Sequence, residues 1–202
     1  MTTVPKKLAE VTNINLTQAS QGLKKLNVTI NWAFNPYGGK PMDVDFCCFV
    51  LGKDGQTRED EDFVFYNNPQ GAALAVKHMG DAAPDSDSGP SLSTETIMVD
   101  LDNLSFDIWR IVFVLSIYEG VENDQTFDVL RQAVFTIQNA ANNQELARLT
   151  FSGHKLENAT AIKVAEIARD GVEWHYTALK EPVKEGLAAI ARSYGILISS
   201  TT

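Results

Sequence analysis

Apolar and polar residues alternate along much of the chain, which is the pattern of strands with one buried face. In residues 24–34, every second position from Leu26 to Trp32 is apolar and the positions between them are Asn or Thr. Residues 108–118 are almost wholly apolar, which predicts a central strand that is covered on both faces. Further strands are predicted over residues 43–51, 63–66, 96–101, 133–138 and 145–151.

Residues 160–169 fit two patterns, a helical stripe through Ala161 and Ala168 or a strand through Ile162 and Val164. An Asp-Gly pair follows at 170–171, and Asp-Gly is a frequent turn between paired strands, so the hairpin reading is favoured.

A helix is predicted over residues 183–194, where apolar residues recur every three or four positions and Gly195 supplies a stop. Residues 82–93 are rich in Pro, Ser, Asp and Gly, which is typical of a surface loop. Many short strands and one late helix predict a mainly β fold: a two-sheet β-sandwich with a C-terminal helix, in a single domain over residues 1–202.

The acidity of the chain is concentrated in one segment. The chain carries a net charge of −9, and residues 43–102 hold thirteen of its 26 acids but three of its 17 bases. A nucleic-acid binder needs clustered Lys and Arg, and anionic lipid attracts the same residues. The charge therefore predicts no nucleic-acid partner and no docking on acidic membranes.

Several features predict a cytoplasmic protein. The first ten residues have no apolar core, so no signal peptide is expected, and no apolar run reaches the roughly 18 residues of a membrane span, so no membrane insertion is expected either. The only cysteines are Cys47 and Cys48; neighbours on a strand point to opposite faces and do not pair easily.

Catalytic and zinc-binding motifs are missing from the sequence. The three histidines lie beside no recognisable nucleophile, and no Cys or His spacing matches a zinc site. The expectation is a protein that is not an enzyme.

The acidic segment suggests calcium chemistry, because hard divalent cations take six to eight oxygen ligands. Asp43 and Asp45 are two residues apart on a predicted strand and so share a face, and Asn67 offers an amide oxygen in a turn. Further acids lie on or beside the long loop: Asp81, Asp85, Asp87 and Glu95. The alternative is that this loop is a solvated acidic surface without a metal.

The order of short motifs over nearly the whole chain resembles the TerD-domain family of tellurite-resistance and general stress proteins. Residues 62–68 (DFVFYNN) are close to the family's D-F-[IV]-F-Y-N signature, and residues 76–81 (VKHMGD) are similar to its V-x-H-x-G-D step. Further segments resemble its D-x-D strand, its E-x-I-x-V-D-L strand and its central strand ending in Glu: residues 43–45, 95–101 and 111–119.

This resemblance implies a β-sandwich with calcium-binding loops at one end and a cytoplasmic, non-enzymatic role in bacterial stress and tellurite resistance. It also implies cooperation with other Ter proteins, some of them near the membrane. By position, the resemblance assigns the calcium ligands to five residues: Asp43, Asp45, Asn67, Asp81 and Glu95.

The chain departs from the family pattern in the acidic loop. Ala82 follows Asp81 where the family has Asn, and Ser93 and Thr94 stand where it has two acids. Either Asp85 and Asp87 replace the lost carboxylates, or calcium sites are lost. In the second case the chain is an interaction module that works through protein–protein contacts.

Overall fold

The computed structural model describes residues 13–35, 42–81, 92–154 and 156–196. In this part of the chain the strands are β1 (Asn13–Asn15), β2 (Lys25–Phe34), β3 (Val44–Gly52), β4 (Phe63–Val64), β5 (Gln70–Gly71), β6 (Val76–Asp81), β7 (Ser93–Asp100), β8 (Ile108–Ile117), β9 (Leu130–Asn139), β10 (Glu145–Phe151), β11 (Ala161–Asp170) and β12 (Glu173–Val183). They form two antiparallel sheets, sheet A in the order β1-β12-β11-β8-β3-β4 and sheet B in the order β10-β9-β2-β7-β6-β5. One apolar core is shared by their inner faces.

Two helices accompany the sheets. The one-turn helix α1 (Leu16–Ala19) begins after Asn15, whose side chain accepts a hydrogen bond from the backbone N–H of Gln18. Helix α2 (Gly186–Ser193) covers the outer face of sheet A, where its buried residues join a second apolar cluster. Sheet A is therefore the middle layer between sheet B and α2.

The predicted fold class, a β-sandwich with a C-terminal helix, is confirmed. The apolar residues of β2 lie in the core, and β8 is a central strand of sheet A. Phe113 of β8 faces the core, and Val112 and Val114 face the α2 side, so both faces of this strand are covered as predicted. The hairpin reading of residues 160–169 is also confirmed, because β11 pairs with β12.

The predicted helix start at residue 183 is wrong. Strand β12 runs through Val183, which pairs with Ala161 of β11, and α2 begins at Gly186. The helical spacing of the apolar residues continues upstream of α2, but the hydrogen-bond partner that β11 offers keeps residues 181–183 extended. Helix α1 and strands β1, β5 and β6 were not predicted, because they are short or irregular in pattern.

Cys47 and Cys48 follow the strand alternation. Cys47 belongs to the cluster under α2 and Cys48 to the core between the sheets, and both are free and buried. Burial raises the pKa of both thiols well above the usual value. Among the described residues, no helix has the length and apolar character needed to span a bilayer.

Candidate functional site

The predicted aspartate pair lies at the beginning of β3. Asp43 is exposed and accepts a hydrogen bond at its backbone oxygen from the N–H of Tyr118, 2.8 Å away. Asp45 is half-buried and pairs with Ser116 of β8. Because side chains alternate along extended backbone, both carboxylates project from the face of sheet A that lies opposite the core. The structure therefore places them together, as the spacing predicts.

Glu95 of β7 reaches from sheet B to the edge of β3 in sheet A. Its carboxylate Oε2 accepts a hydrogen bond from the backbone N–H of Phe46 at 3.0 Å, and His78 Nε2 lies 3.0 Å from the same oxygen. His78 Nε2 is also 3.0 Å from the backbone oxygen of Phe46. Both residues are buried, with side chains that are 1% (His78) and 7% (Glu95) exposed. We call this arrangement of Glu95, His78 and the Phe46 backbone the edge clasp.

The tautomer of His78 follows from its second nitrogen. The backbone N–H of Gly80 donates to His78 Nδ1 at 3.1 Å, so Nδ1 is an acceptor and the proton is on Nε2. His78 therefore donates from Nε2 towards Glu95 and the Phe46 carbonyl as a neutral imidazole. The hydrogen bonds to the ionised carboxylate are charge-assisted and are the stronger kind.

The edge clasp covers a part of β3 that has no strand beside it in the described chain. Strand β4 pairs only with Cys48 and Phe49, so the β3 backbone before Cys48 lacks a neighbour on that side. His78 and Glu95 supply the hydrogen-bond partners that a strand would otherwise give to Phe46. Glu95 was predicted as a candidate ligand, but its pairing with His78 depends on how the two sheets meet and has no local signal in the sequence.

The structure describes only two of the four remaining predicted ligands. Asn67 is exposed in the turn between β4 and β5, and Asp81 lies opposite Glu95 in the β6–β7 ladder. Asp85 and Asp87 lie outside the described residues.

An acidic surface continues past Asp43 to the end of β8. The charge of Glu119 and a hydrogen bond to its carboxylate raise the pKa of the Tyr118 phenol, with smaller contributions from Tyr66 and Asp43. Tyr66 and Tyr118 are each about half exposed, at 49% and 51%. Two tyrosine rings therefore stand among carboxylates at this end of the sandwich.

The donor set suits calcium better than a softer metal, since Asp43, Asp45 and Asn67 all offer oxygen ligands. Glu95 is the exception, because its Oε2 is already held by two protein donors. Within residues 13–35, 42–81, 92–154 and 156–196, no group of three His, Cys, Asp or Glu side chains is arranged to hold a metal. A calcium site at Asp43 and Asp45 therefore needs ligands from elsewhere.

Comparisons with known proteins agree on one family. The profile of the TerD domain matches residues 5–194. The chain is 32% identical to general stress protein 16U of Bacillus subtilis (strain 168), over 95% of this chain and 97% of that protein. It is 29% identical to tellurium resistance protein TerD of Serratia marcescens, over 91% and 94% of the two chains.

The fold also matches a solved structure. A homologue of the telluride resistance protein TerD from Streptomyces coelicolor A3(2) superimposes with a TM-score of 0.65 at 20% identity, over 88% of this chain and all of that chain. At this identity the likeness supports the fold alone.

Proposed function

The chain belongs to the TerD-domain family, and from this membership we propose that it is a calcium-binding, non-enzymatic protein of bacterial stress and tellurite resistance. The proposal is supported by relatives that are named as general stress and tellurium resistance proteins and that align over nearly their full length. None of the relatives cited is named as an enzyme.

The observation that carries the calcium part is the shared face of Asp43 and Asp45. Two carboxylates on one strand face repel one another, and a cation bound between them would offset that repulsion. Calcium would bind directly to the carboxylate oxygens of Asp43 and Asp45, and its remaining ligands would come from Asp81, Asp85 or Asp87. In this arrangement the ion is a structural ligand that joins the strand to the acidic loop, and no chemical step depends on it.

Calorimetric titration of chelator-stripped protein with calcium tests the proposal. We expect saturable binding, and at a calcium concentration of 100 times Kd the native state gains about 2.7 kcal/mol. The double variant Asp43→Asn/Asp45→Asn should lose the binding heat and the rise in melting temperature. Asp170→Asn, at the exposed β11–β12 turn, is the matched control and should keep both. No heat and no thermal shift at millimolar calcium would refute the calcium part.

A second candidate function is favoured by the edge clasp. Glu95 is satisfied by protein donors alone, as expected if this member acts as a metal-free interaction module. The double variant Asp85→Asn/Asp87→Asn separates the two functions. The metal-free module predicts unchanged stability with or without calcium but a changed set of co-purified proteins. A loss of calcium-dependent stability in this variant would contradict it.

The partners and the location are proposals that rest on the family. We propose that the protein acts in the cytoplasm with other Ter proteins, some of them membrane-associated, and without nucleic acid. The two buried, free cysteines agree with a reducing compartment. Co-purification of the tagged full chain from cytosolic and membrane fractions, with the Asp43→Asn/Asp45→Asn variant beside it, tests both points. Recovery of the protein outside the cytoplasm would refute the location.

A further inference from the structure

A second feature of the acidic end is a pocket of about 230 Å³ on the outer face of sheet A. It lies between the end of β8, the turn that follows it and the beginning of α2. Ligand pockets for drug-sized molecules span about 300–1,000 Å³, so this one suits a smaller ligand.

Four carboxylates line the pocket: Asp45, Glu119, Glu122 and Glu185. No Lys, Arg or His is among the described residues that line it. The helix dipole places about half a positive charge at the N-terminus of α2, which is small beside the negative charge of four carboxylates. The pocket therefore favours a cation.

The walls between these acids are apolar. Ile117, Val121 and Leu187 line the pocket together with the backbone of Gly120 and Gly186. The described residues contain no group of three acidic, His or Cys side chains that could hold a metal. Separated carboxylates and an apolar wall suit a cation with a hydrocarbon part better than a bare metal ion.

Ser116 is an independent sign of a ligand. It is 1% exposed, and its Oγ is buried without a hydrogen-bond partner. Val112 and Val114 of the same strand face the α2 side, so alternation directs the Ser116 side chain to that side, where it lines the pocket. Buried hydroxyl groups are normally hydrogen-bonded, and an orphaned one needs an explanation. An N–H donor that enters the pocket would supply the missing partner.

The backbone of the rim is strained. Glu119 adopts a φ of 48°, in the left-handed region that residues other than glycine rarely occupy. Such conformations cost energy and cluster at ligand sites. Glu119 is also the residue whose carboxylate interacts with the Tyr118 phenol, and Tyr118 lines the pocket as well.

We propose that this pocket binds a primary alkylammonium group, with the charged nitrogen among the carboxylates and the alkyl chain against Leu187 and Val121. Two kinds of ligand carry a primary alkylammonium group: a free polyamine, and a partner protein through its lysine side chain. This function is separate from calcium binding, although Asp45 borders both sites.

Isothermal titration of the full chain in the presence of a chelator tests the proposal with two probes. Spermidine represents a free polyamine, and Nα-acetyl-lysine methylamide represents a protein side chain. We expect saturable one-to-one binding of at least one probe, and the tighter of the two identifies the source. If neither probe binds, the proposal is overturned.

Variants locate the binding. Glu119→Gln and Glu185→Gln should each weaken the probe by about tenfold, the usual size of one charge-assisted hydrogen bond. Ser116→Ala should also weaken it without lowering the stability of the free protein, because its hydroxyl has no partner there. The double variant Glu61→Gln/Glu157→Gln, at exposed positions that do not line the pocket, is the matched control.

Two results would overturn the assignment. One is equal affinity in the control and in the double variant Glu119→Gln/Glu185→Gln. The other is displacement of the probe by calcium together with loss of calcium binding in that double variant, since this would assign the same carboxylates to a metal ion.

Discussion

Replacement of Glu95 separates its role in the fold from a role as a metal ligand. Its carboxylate accepts hydrogen bonds from the Phe46 N–H and from His78 inside a buried interface. If these hydrogen bonds hold the sheets together, Glu95→Ala must lower stability even when calcium is chelated. If Glu95 serves only a metal, the substitution should have no effect under those conditions.

The magnitude follows from the two hydrogen bonds. A hydrogen bond to a charged group contributes about 1.5–3 kcal/mol, and the Phe46 N–H would be left buried without an acceptor. His78 keeps the Phe46 carbonyl as a partner, which limits its loss. We therefore expect Glu95→Ala to lower the free energy of unfolding by about 3–4 kcal/mol. Glu95→Gln retains a neutral acceptor and should cost about 1–2 kcal/mol.

Urea denaturation followed by tryptophan fluorescence, with a chelator present, measures these losses. Glu181→Ala is the control, because its pair with Lys163 is half exposed and such pairs contribute at most about 1 kcal/mol. A double-mutant cycle of Glu95→Ala with His78→Ala should give a coupling energy of about 1.5 kcal/mol. A loss below about 0.5 kcal/mol in Glu95→Ala would refute the edge clasp.

Three further outcomes are expected. Cys47 and Cys48 should not react with a thiol reagent in the native protein at pH 8, because burial raises the pKa of both thiols. Both should react after unfolding, and rapid labelling of either in the native protein would contradict their burial. Hydrogen bonds from the side-chain amides of Gln18 and Asn15 hold the pKa of Glu173 below its usual value, so the ionised carboxylate stabilises the fold fully above about pH 4.3 and this stabilisation is lost at lower pH. The difference in melting temperature between wild type and Glu173→Gln should therefore shrink on acidification, and a difference that stays constant would refute this role. Gly153→Ala should lower the free energy of unfolding in urea by about 1–3 kcal/mol, since the new Cβ would lie 2.3 Å from a backbone oxygen; an unchanged midpoint would contradict this packing.

Local patterns were sufficient to predict strands that are buried continuously along one or both faces. The alternation in β2 and the apolar run of β8 reflect burial directly, so both strands were predictable. The start of α2 was not, because β11 holds Val183 in the sheet, and sequence periodicity carries no information on that partner.

The candidate site also has one feature that could be predicted from the sequence and others that could not. The common face of Asp43 and Asp45 follows from a two-residue spacing on one strand and was predictable. The contact of Glu95 with His78 and Phe46 joins three strands from two sheets, and only the packing of the sheets defines it. The buried, unpartnered hydroxyl of Ser116 likewise has no local signal in the sequence.

The edge clasp also has a consequence for the behaviour of the protein in concentrated solution. An uncovered strand edge with free N–H and C=O groups is a template on which another chain can add a strand. His78 and Glu95 occupy the Phe46 backbone groups that such an intruding chain would need. The same two side chains therefore protect this protein against edge-to-edge aggregation, and a chain that lacks them would be expected to self-associate at concentrations where the wild type stays monodisperse.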